Sequence, residues 1–345
     1  MLDPRYAYIS AYLKAEEPNI FATKHLSRMI GISNIRDIQS IIKETDIGNY
    51  LEGVSFNNFE DLDQSLWRYF VYCIKEVESF KFIPDDVKKL STTYMEKYDV
   101  ENIKAVLQGF GSNFNRNPII PVGILHDNEL LDELSCAENV ADVTEILTRS
   151  RLSHYIPIIK DFEPDSSQKS KLLIGARIDG EYFRIMLDMA NKIKEGDTLA
   201  QSIGMIIDLT NLQIVARATI EGIGTEVANY TIAGGYIISD KTIRELLSVK
   251  IVDIPRRLEN NRYYKIAKEL SNSYDKSKQV TTVDEVLETY KFKILKETLS
   301  PTVLSPLVMA WYFVLKETEI RNLRIIFRAI YDNVSIEEIK RYLVF

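Results

Sequence analysis

The stretch Asp208-Leu-Thr-Asn211-Leu-Gln-Ile-Val-Ala-Arg217 decides the reading of this chain, because two variants of it lie elsewhere. The first copy is Asp99-Val-Glu-Asn102-Ile-Lys-Ala-Val-Leu-Gln108, and the third is Glu319-Ile-Arg-Asn322-Leu-Arg-Ile-Ile-Phe-Arg328. Each has an acid, an Asn three residues later, Leu or Ile directly after the Asn, and an aliphatic residue four beyond it. Gln or Arg follows six residues after the Asn. The asparagines are spaced by 109 residues (102 to 211) and 111 residues (211 to 322). Such a period exceeds the roughly 20–50 residues of common solenoid repeats. It predicts three tandem domains of ordinary size, 1–120, 121–230 and 231–345.

After each Asn the apolar residues fall on one helical face: Ile103, Val106, Leu107 and Phe110; Leu212, Val215 and Ala216; Leu323, Ile326, Phe327 and Ile330. The acid shares the face of the Asn, either near the start of this segment or one turn inside a longer helix. A second block precedes the signature. Ile35-Arg-Asp37-Ile38-Gln-Ser-Ile41-Ile42 matches Val140-Ala-Asp142-Val143-Thr-Glu-Ile146-Leu147 at an offset of 105 (35 to 140), with a weaker third copy at Ile251-Val-Asp253-Ile254. Just upstream, His25-Leu26, Leu130-Leu131 and Thr242-Ile243 also correspond. Each domain therefore runs from a short helix pair into a long connection and then into the Asn helix. Strand patterns are confined to Lys171-Leu-Leu-Ile-Gly and Gly235-Tyr-Ile-Ile. The breaker-rich stretch 112–121 ends the first domain and 222–235 the second, while 161–170 and 271–277 read as exposed connections.

Composition narrows the function. Across 345 residues, 46% are hydrophobic and 27% charged, enough to bury a sizeable core. A net charge of −7 argues against affinity for nucleic acid through phosphate neutralisation. The nearest basic cluster, Arg256, Arg257, Arg262 and Lys265, is broken by acids and reads as a solvated helix face. Cys73 and Cys136 are too few for a disulfide framework and point to a reducing, cytoplasmic setting. The longest apolar run, 303–315, is interrupted by Ser305 and Pro306 and falls short of the ~20 residues needed to cross a bilayer. No basic-then-apolar leader opens the chain, so a partner would have to hold this protein at any membrane.

No catalytic constellation emerges. A Gly-x4-Gly-Lys-Ser/Thr phosphate loop is missing, and Gly222-Ile-Gly224 lacks both the third glycine and a preceding strand. His25, His126 and His154 have no neighbour at metal-ligand spacing and read as packing or surface residues. The repeated acid and Asn could do acid–base work, yet Asn does not titrate and the acid varies. The structural reading is favoured: Asn102, Asn211 and Asn322 satisfy backbone groups where the units meet. At the position six residues later, Arg217 and Arg328 suit bidentate pairing at an interface, with surface solvation as the equal alternative. Gln108 stands at that position in the first copy. No cofactor or metal is expected.

With these motifs in hand, the chain resembles the C subunits of the archaeal and bacterial A/V-type ATPases, whose eukaryotic relative is the d subunit of the vacuolar ATPase. The most specific piece is Glu319-Ile-Arg-Asn322-Leu-Arg-Ile-Ile-Phe-Arg328-Ala, followed by Ser335-Ile-Glu-Glu-Ile-Lys-Arg-Tyr-Leu343. At the N-terminus the family pattern Tyr-x-x-Ala-Arg-x-Arg-x-x-Glu is met by Tyr8, Ala11, Tyr12, Lys14 and Glu17, with Tyr12 and Lys14 in place of its arginines. Gln108 likewise replaces an Arg. The resemblance spans the whole chain and implies an all-α protein of three similar domains in a funnel with approximate threefold symmetry. It implies a non-enzymatic adaptor on the cytoplasmic face of the membrane proteolipid ring, receiving the central-stalk subunits and binding no nucleotide itself. A helical scaffold working outside an ATPase is the runner-up, and an enzyme of unrecognised type comes third.

Overall fold

The structure, a computed structural model, describes residues 6–32, 34–54, 56, 58–80, 83–110, 119–165 and 167–345. Most of the joint expected at 112–121 lies outside these residues. Those described are helical, with no strand among them. The first third holds α1 (Ala7–Glu16), α2 (Thr23–Met29), α3 (Ile35–Ile42), α4 (Asp46–Tyr50), α5 (Phe59–Ser79) and α6 (Asp85–Gly109). Next come α7 (Ile124–Asp127), α8 (Leu131–Cys136), α9 (Val140–Thr148), α10 (Ile156–Lys160), α11 (Gln168–Ala190) and α12 (Gly196–Ile220). The last third holds α13 (Asp240–Leu247), α14 (Ile254–Arg257), α15 (Tyr264–Ser277), α16 (Thr281–Leu299), α17 (Leu307–Tyr331) and α18 (Ile336–Ile339).

The three signatures lie on α6, α12 and α17, each 25 residues long. The helices before them, α5, α11 and α16, have 21, 23 and 19 residues. Of the two placements open for the acid, the longer helix is the one found. Short polar side chains set several helix starts. Asn34 and Asn139, one offset of 105 apart (34 to 139), accept from the second or third N–H of α3 and α9. Ser167 and Ser239 do the same for α11 and α13, and Ser335 forms a capping box with Glu338 on α18.

Contacts gather the chain into two compact units. Unit 1 combines Met1–Ser91, Ile193–Glu195 and Leu295–Phe345; unit 2 combines Thr92–Lys192 and Gly196–Ile294. In unit 1, α17 packs on α5 and α1 and buries Leu323, Ile326 and Phe327. In unit 2, α12 lies along α11. Its Met205, Leu209, Leu212, Val215 and Ala216 meet Ile243, Leu246, Ile254, Leu258, Ile266, Leu270 and Leu287 in one core.

Three local expectations are overturned. Residues 271–277 are not an exposed connection but the last turns of α15, which ends at Lys278 in a left-handed conformation (φ 57°). Their Ser and Asn content resembles a loop, yet Tyr263, Ile266, Ala267, Leu270, Ser271 and Tyr274 keep a helical apolar face against the core. Lys171-Leu-Leu-Ile-Gly lies inside α11, and Gly235-Tyr-Ile-Ile is irregular. The expectation that no stretch is long and apolar enough to cross a bilayer, drawn from the 303–315 run, also fails. Among the described residues the one helix long and apolar enough by length and composition is α12, with mean hydropathy 1.3 over its most apolar 18-residue window, but 78% of that window is buried inside the fold.

The burial of α12 sets an expected outcome. Leu209, fully buried at its centre, should cost about 2–5 kcal/mol when truncated to Ala, read as a lower melting temperature by far-UV circular dichroism.

Candidate functional site

The signature residues build three clamps of the same chemistry. In each, the Asn side chain gives and takes one backbone hydrogen bond with a single residue further along the chain. Asn102 Nδ2 donates to the Ile120 carbonyl at 2.8 Å, and the Ile120 N–H returns to Asn102 Oδ1 at 2.8 Å. Asn211 pairs in the same way with Ile232, at 2.8 Å in both directions. Asn322 pairs with Val344, at 2.6 and 3.0 Å. A carboxamide carries a donor and an acceptor side by side, as a peptide unit does, so only Asn or Gln can make both bonds. Each Asn is 1% exposed, and truncating it strands two polar backbone groups.

One turn earlier, the acid collects backbone N–H groups at the entry to the next short helix. Ile124 and Leu125 donate to Asp99 Oδ2 and Oδ1 at 2.8 and 2.9 Å. Ile237 and Ile238 donate to Asp208 at 2.8 and 3.2 Å, and the Tyr263 hydroxyl adds a third bond at 2.9 Å. In unit 1 the donor is Phe21, whose N–H reaches Glu319 Oε1 at 2.8 Å across 298 residues of sequence. An acceptor-only task tolerates Asp or Glu, which is why the acid varies while the Asn does not. Burial pushes the Asp99 carboxyl up to about 7 against the pull of its two N–H donors. Burial raises Asp208 as well, opposed by Ile237, Tyr263 and Ile238.

Two glycines let the backbone approach. A Cβ on Gly123, which holds φ +110°, would lie 2.5 Å from Asp99 Oδ1, and one on Gly235 would lie 2.3 Å from Asp208 Oδ1. Neither was singled out for this purpose in the sequence. Their signal was a Gly just before the N–H donors in both copies.

The residue one turn before the acid differs in each copy, so no repeat marks the position in the sequence. Glu96 accepts from His154 Nε2 at 2.9 Å and the Tyr155 hydroxyl at 2.8 Å. Met205 is part of the apolar core. Lys316 is fully buried; its ammonium donates to Asp46, to the Tyr69 hydroxyl at 2.7 Å and to Glu319 Oε2 at 3.0 Å. Burial alone would lower the Lys316 pKa, but Glu319 and Asp46 outweigh it and hold the ammonium charged. Burial raises Glu319, Lys316 opposes the rise, and Asp46 adds to it. The sequence signal was a lysine directly after the 303–315 apolar run.

The positions six residues after each Asn are placed differently from one another. Gln108 Nε2 donates to the Lys171 carbonyl at 3.1 Å. Arg217 is bidentate to Asp284 on α16, at 3.2 and 2.6 Å, with Gln213 on the same carboxylate. Arg328 is largely exposed, bonded to Asp332 at 2.8 Å and lying over the Phe59 ring. Of the histidines, His25 is buried and accepts from the Ala22 N–H, His126 is exposed, and His154 takes the Glu96 bond. Among the described residues no three His, Cys, Asp or Glu gather as metal ligands. What this chemistry does is hold distant backbone segments in fixed register.

The family model described as ATP synthase (C/AC39) subunit matches residues 9–342. The C subunit of the A-type ATP synthase from Methanocaldococcus jannaschii is 23% identical over 352 residues, covering 98% of this chain and 86% of that protein. Its counterpart from Pyrococcus abyssi is 25% identical, covering 97% and 89%. The counterpart from Archaeoglobus fulgidus is 24% identical, covering 98% and 96%.

Two outcomes follow from the clamps. Asn211→Ala leaves the Ile232 N–H and carbonyl buried without partners and should cost about 2–4 kcal/mol. Arg328→Ala, at an exposed site, should stay within about 0.5 kcal/mol; urea unfolding of both variants measures the contrast. Asp99 binds its proton more tightly folded than unfolded, so its contribution falls as pH rises from about 4 to 7. Between pH 8 and pH 6 the parent should therefore gain about 1 kcal/mol relative to Asp99→Asn, read from urea midpoints at the two pH values.

Proposed function

Because the chain belongs to the ATP synthase (C/AC39) subunit family, we propose that it is a rotor adaptor of an A/V-type ATPase. In this role it links the membrane proteolipid ring to the central stalk, on the cytoplasmic side, and passes torque between ion transport and ATP hydrolysis or synthesis. It performs no catalysis and binds no nucleotide; its work is contact and stiffness. The observation that carries this reading is the family match across residues 9–342, joined by A-type ATP synthase relatives that this chain covers almost end to end.

The clamps support it. A torque-bearing part must resist shear, and packed helices stiffen further where buried hydrogen bonds fix the segments between them. Three signature helices of equal length, each holding a later or earlier segment by the same two residues, also favour three related domains, 1–120, 121–230 and 231–345, about an approximate threefold axis. In that arrangement Glu319, by taking the Phe21 N–H, joins the last copy to the first.

Tagged full-length protein should bring down central-stalk subunits and the proteolipid ring from a detergent extract of its own membranes. A folded chain that retains neither refutes the adaptor role. Retention of unrelated proteins in their place would support a scaffold outside an ATPase.

A further inference from the structure

Residues 250–268 form a basic island in an acidic protein. They contain Lys250, Arg256, Arg257, Arg262, Lys265 and Lys268 against only Asp253 and Glu259, whereas the whole chain carries −7. All six cations are exposed, and none forms an ion pair among the described residues. Some exposed cations elsewhere are taken by carboxylates, as Arg28 is by Glu44, Arg149 by Glu133 and Lys169 by Glu226, while Lys24, Arg36, Lys192 and Lys241 stand singly; what sets 250–268 apart is the density of its cations. The matching stretch of the first copy has no such excess, with Arg36 and Lys43 set against Asp37, Glu44, Asp46 and Glu52.

Geometry puts the island on one side. Ile251, Ile254, Leu258, Tyr263, Ile266, Ala267 and Leu270 of this hairpin all enter the unit 2 core, so the charged residues occupy its outer side. The Tyr263 hydroxyl ties the hairpin to Asp208, the signature acid. Along α15 the outward residues are Lys265, Lys268, Glu269, Asn272, Asp275 and Lys276, with no apolar stripe on which a partner helix could dock. A single apolar side chain, Val252, stands 51% exposed among the cations.

We infer that the outer side of the α14–α15 hairpin docks on a membrane surface of anionic lipids, its arginines and lysines on headgroup phosphates and Val252 toward the acyl boundary. Arginine forks match phosphate oxygens, and clustered surface cations add attraction to an anionic leaflet roughly in proportion to their number. The inference rests on the membrane-side placement proposed above for its setting, while the binding is a property of the isolated chain.

Full-length protein is sedimented with vesicles of phosphatidylcholine alone, and with vesicles containing about 30% phosphatidylserine, at low and high salt. Binding should require the anionic lipid and fade as salt shortens the screening length. Arg256→Glu/Arg257→Glu/Arg262→Glu/Lys265→Glu should lower the partition coefficient at least about tenfold. Lys24→Glu/Arg36→Glu/Lys192→Glu/Lys241→Glu, with the same change in net charge, should keep most of it. Should the first variant melt early, Arg256→Gln/Arg257→Gln gives the same reading with a severalfold loss. Equal binding to both vesicle types, or full binding by the island variants, overturns the proposal. So does a chain that ignores anionic vesicles but is held by immobilised poly-glutamate through these residues, which would assign the surface to an acidic protein segment. Assembly with stalk and ring in detergent reads the placement separately: vesicle binding without assembly removes the adaptor role, and assembly without vesicle binding removes the lipid surface.

Discussion

A carboxamide that gives and takes one backbone hydrogen bond is the constraint on which this chain depends. A helix satisfies its own backbone and has nothing left with which to hold an irregular segment beside it. Asn102, Asn211 and Asn322 supply the missing peptide-like group from the helix side, and Ile120, Ile232 and Val344 accept the pairing. The acid one turn earlier then catches N–H groups that no neighbour would otherwise meet. Together the two side chains fix where a long helix ends its influence and the next short helix begins. Leaving such groups unpaired in a dry interior would cost more than making the bonds gains, so the clamp acts as much against misplacement as for stability.

Much of this was legible because the constraint leaves its mark in sequence at fixed spacing. Acid and Asn three apart share a helix face, and that spacing survives in all three copies. Helix type was legible for the same reason: Ile103, Val106 and Leu107, or Leu323, Ile326 and Phe327, repeat at the helical period and are buried. Partners were not legible, since Ile120 or Val344 enters through its backbone and any residue there would serve. Gly123 and Gly235 are exceptions, visible in principle because a side chain would collide with the carboxylate. Where composition and period disagreed, period was the better guide. The Ser- and Asn-rich end of α15 stays helical because its buried face continues, and α12 is apolar because it is enclosed, not because it meets lipid.

The copies share a clamp but not its surroundings. One turn before the acid, Glu96 gathers a His and a Tyr, Met205 packs in the core, and Lys316 sits among Asp46, Tyr69 and Glu319. A buried ammonium next to two carboxylates is costly to desolvate and costlier to break, since losing one partner leaves an uncompensated charge. Such a node contributes little net stability but strongly penalises alternatives. It lies in unit 1, where Asp46 and the Phe21 N–H come from the start of the chain and Lys316 and Glu319 from near its end. There the sequence supplies no short covalent path between the joined segments, so charge specificity replaces chain proximity.

The same logic accounts for the residues that depart from the family pattern. Tyr12 and Lys14 stand where two arginines are expected, and each has found a local partner in unit 1. The Tyr12 hydroxyl donates to Glu76 at 3.0 Å, and its ring lies edge-on to Phe80. Lys14 reaches the Ser300 carbonyl at 2.8 Å and Glu17 at 2.7 Å. Gln108, at the position that Arg217 holds in the second copy, donates its amide to the Lys171 carbonyl, whereas Arg217 is bidentate to the Asp284 carboxylate. Lys14 keeps a charge-paired contact, whereas Tyr12 and Gln108 bond through neutral groups. Such exchanges are tolerable at positions that bind through side chains only. They are not open to Asn102, Asn211 or Asn322, whose task is set by the peptide group they mimic.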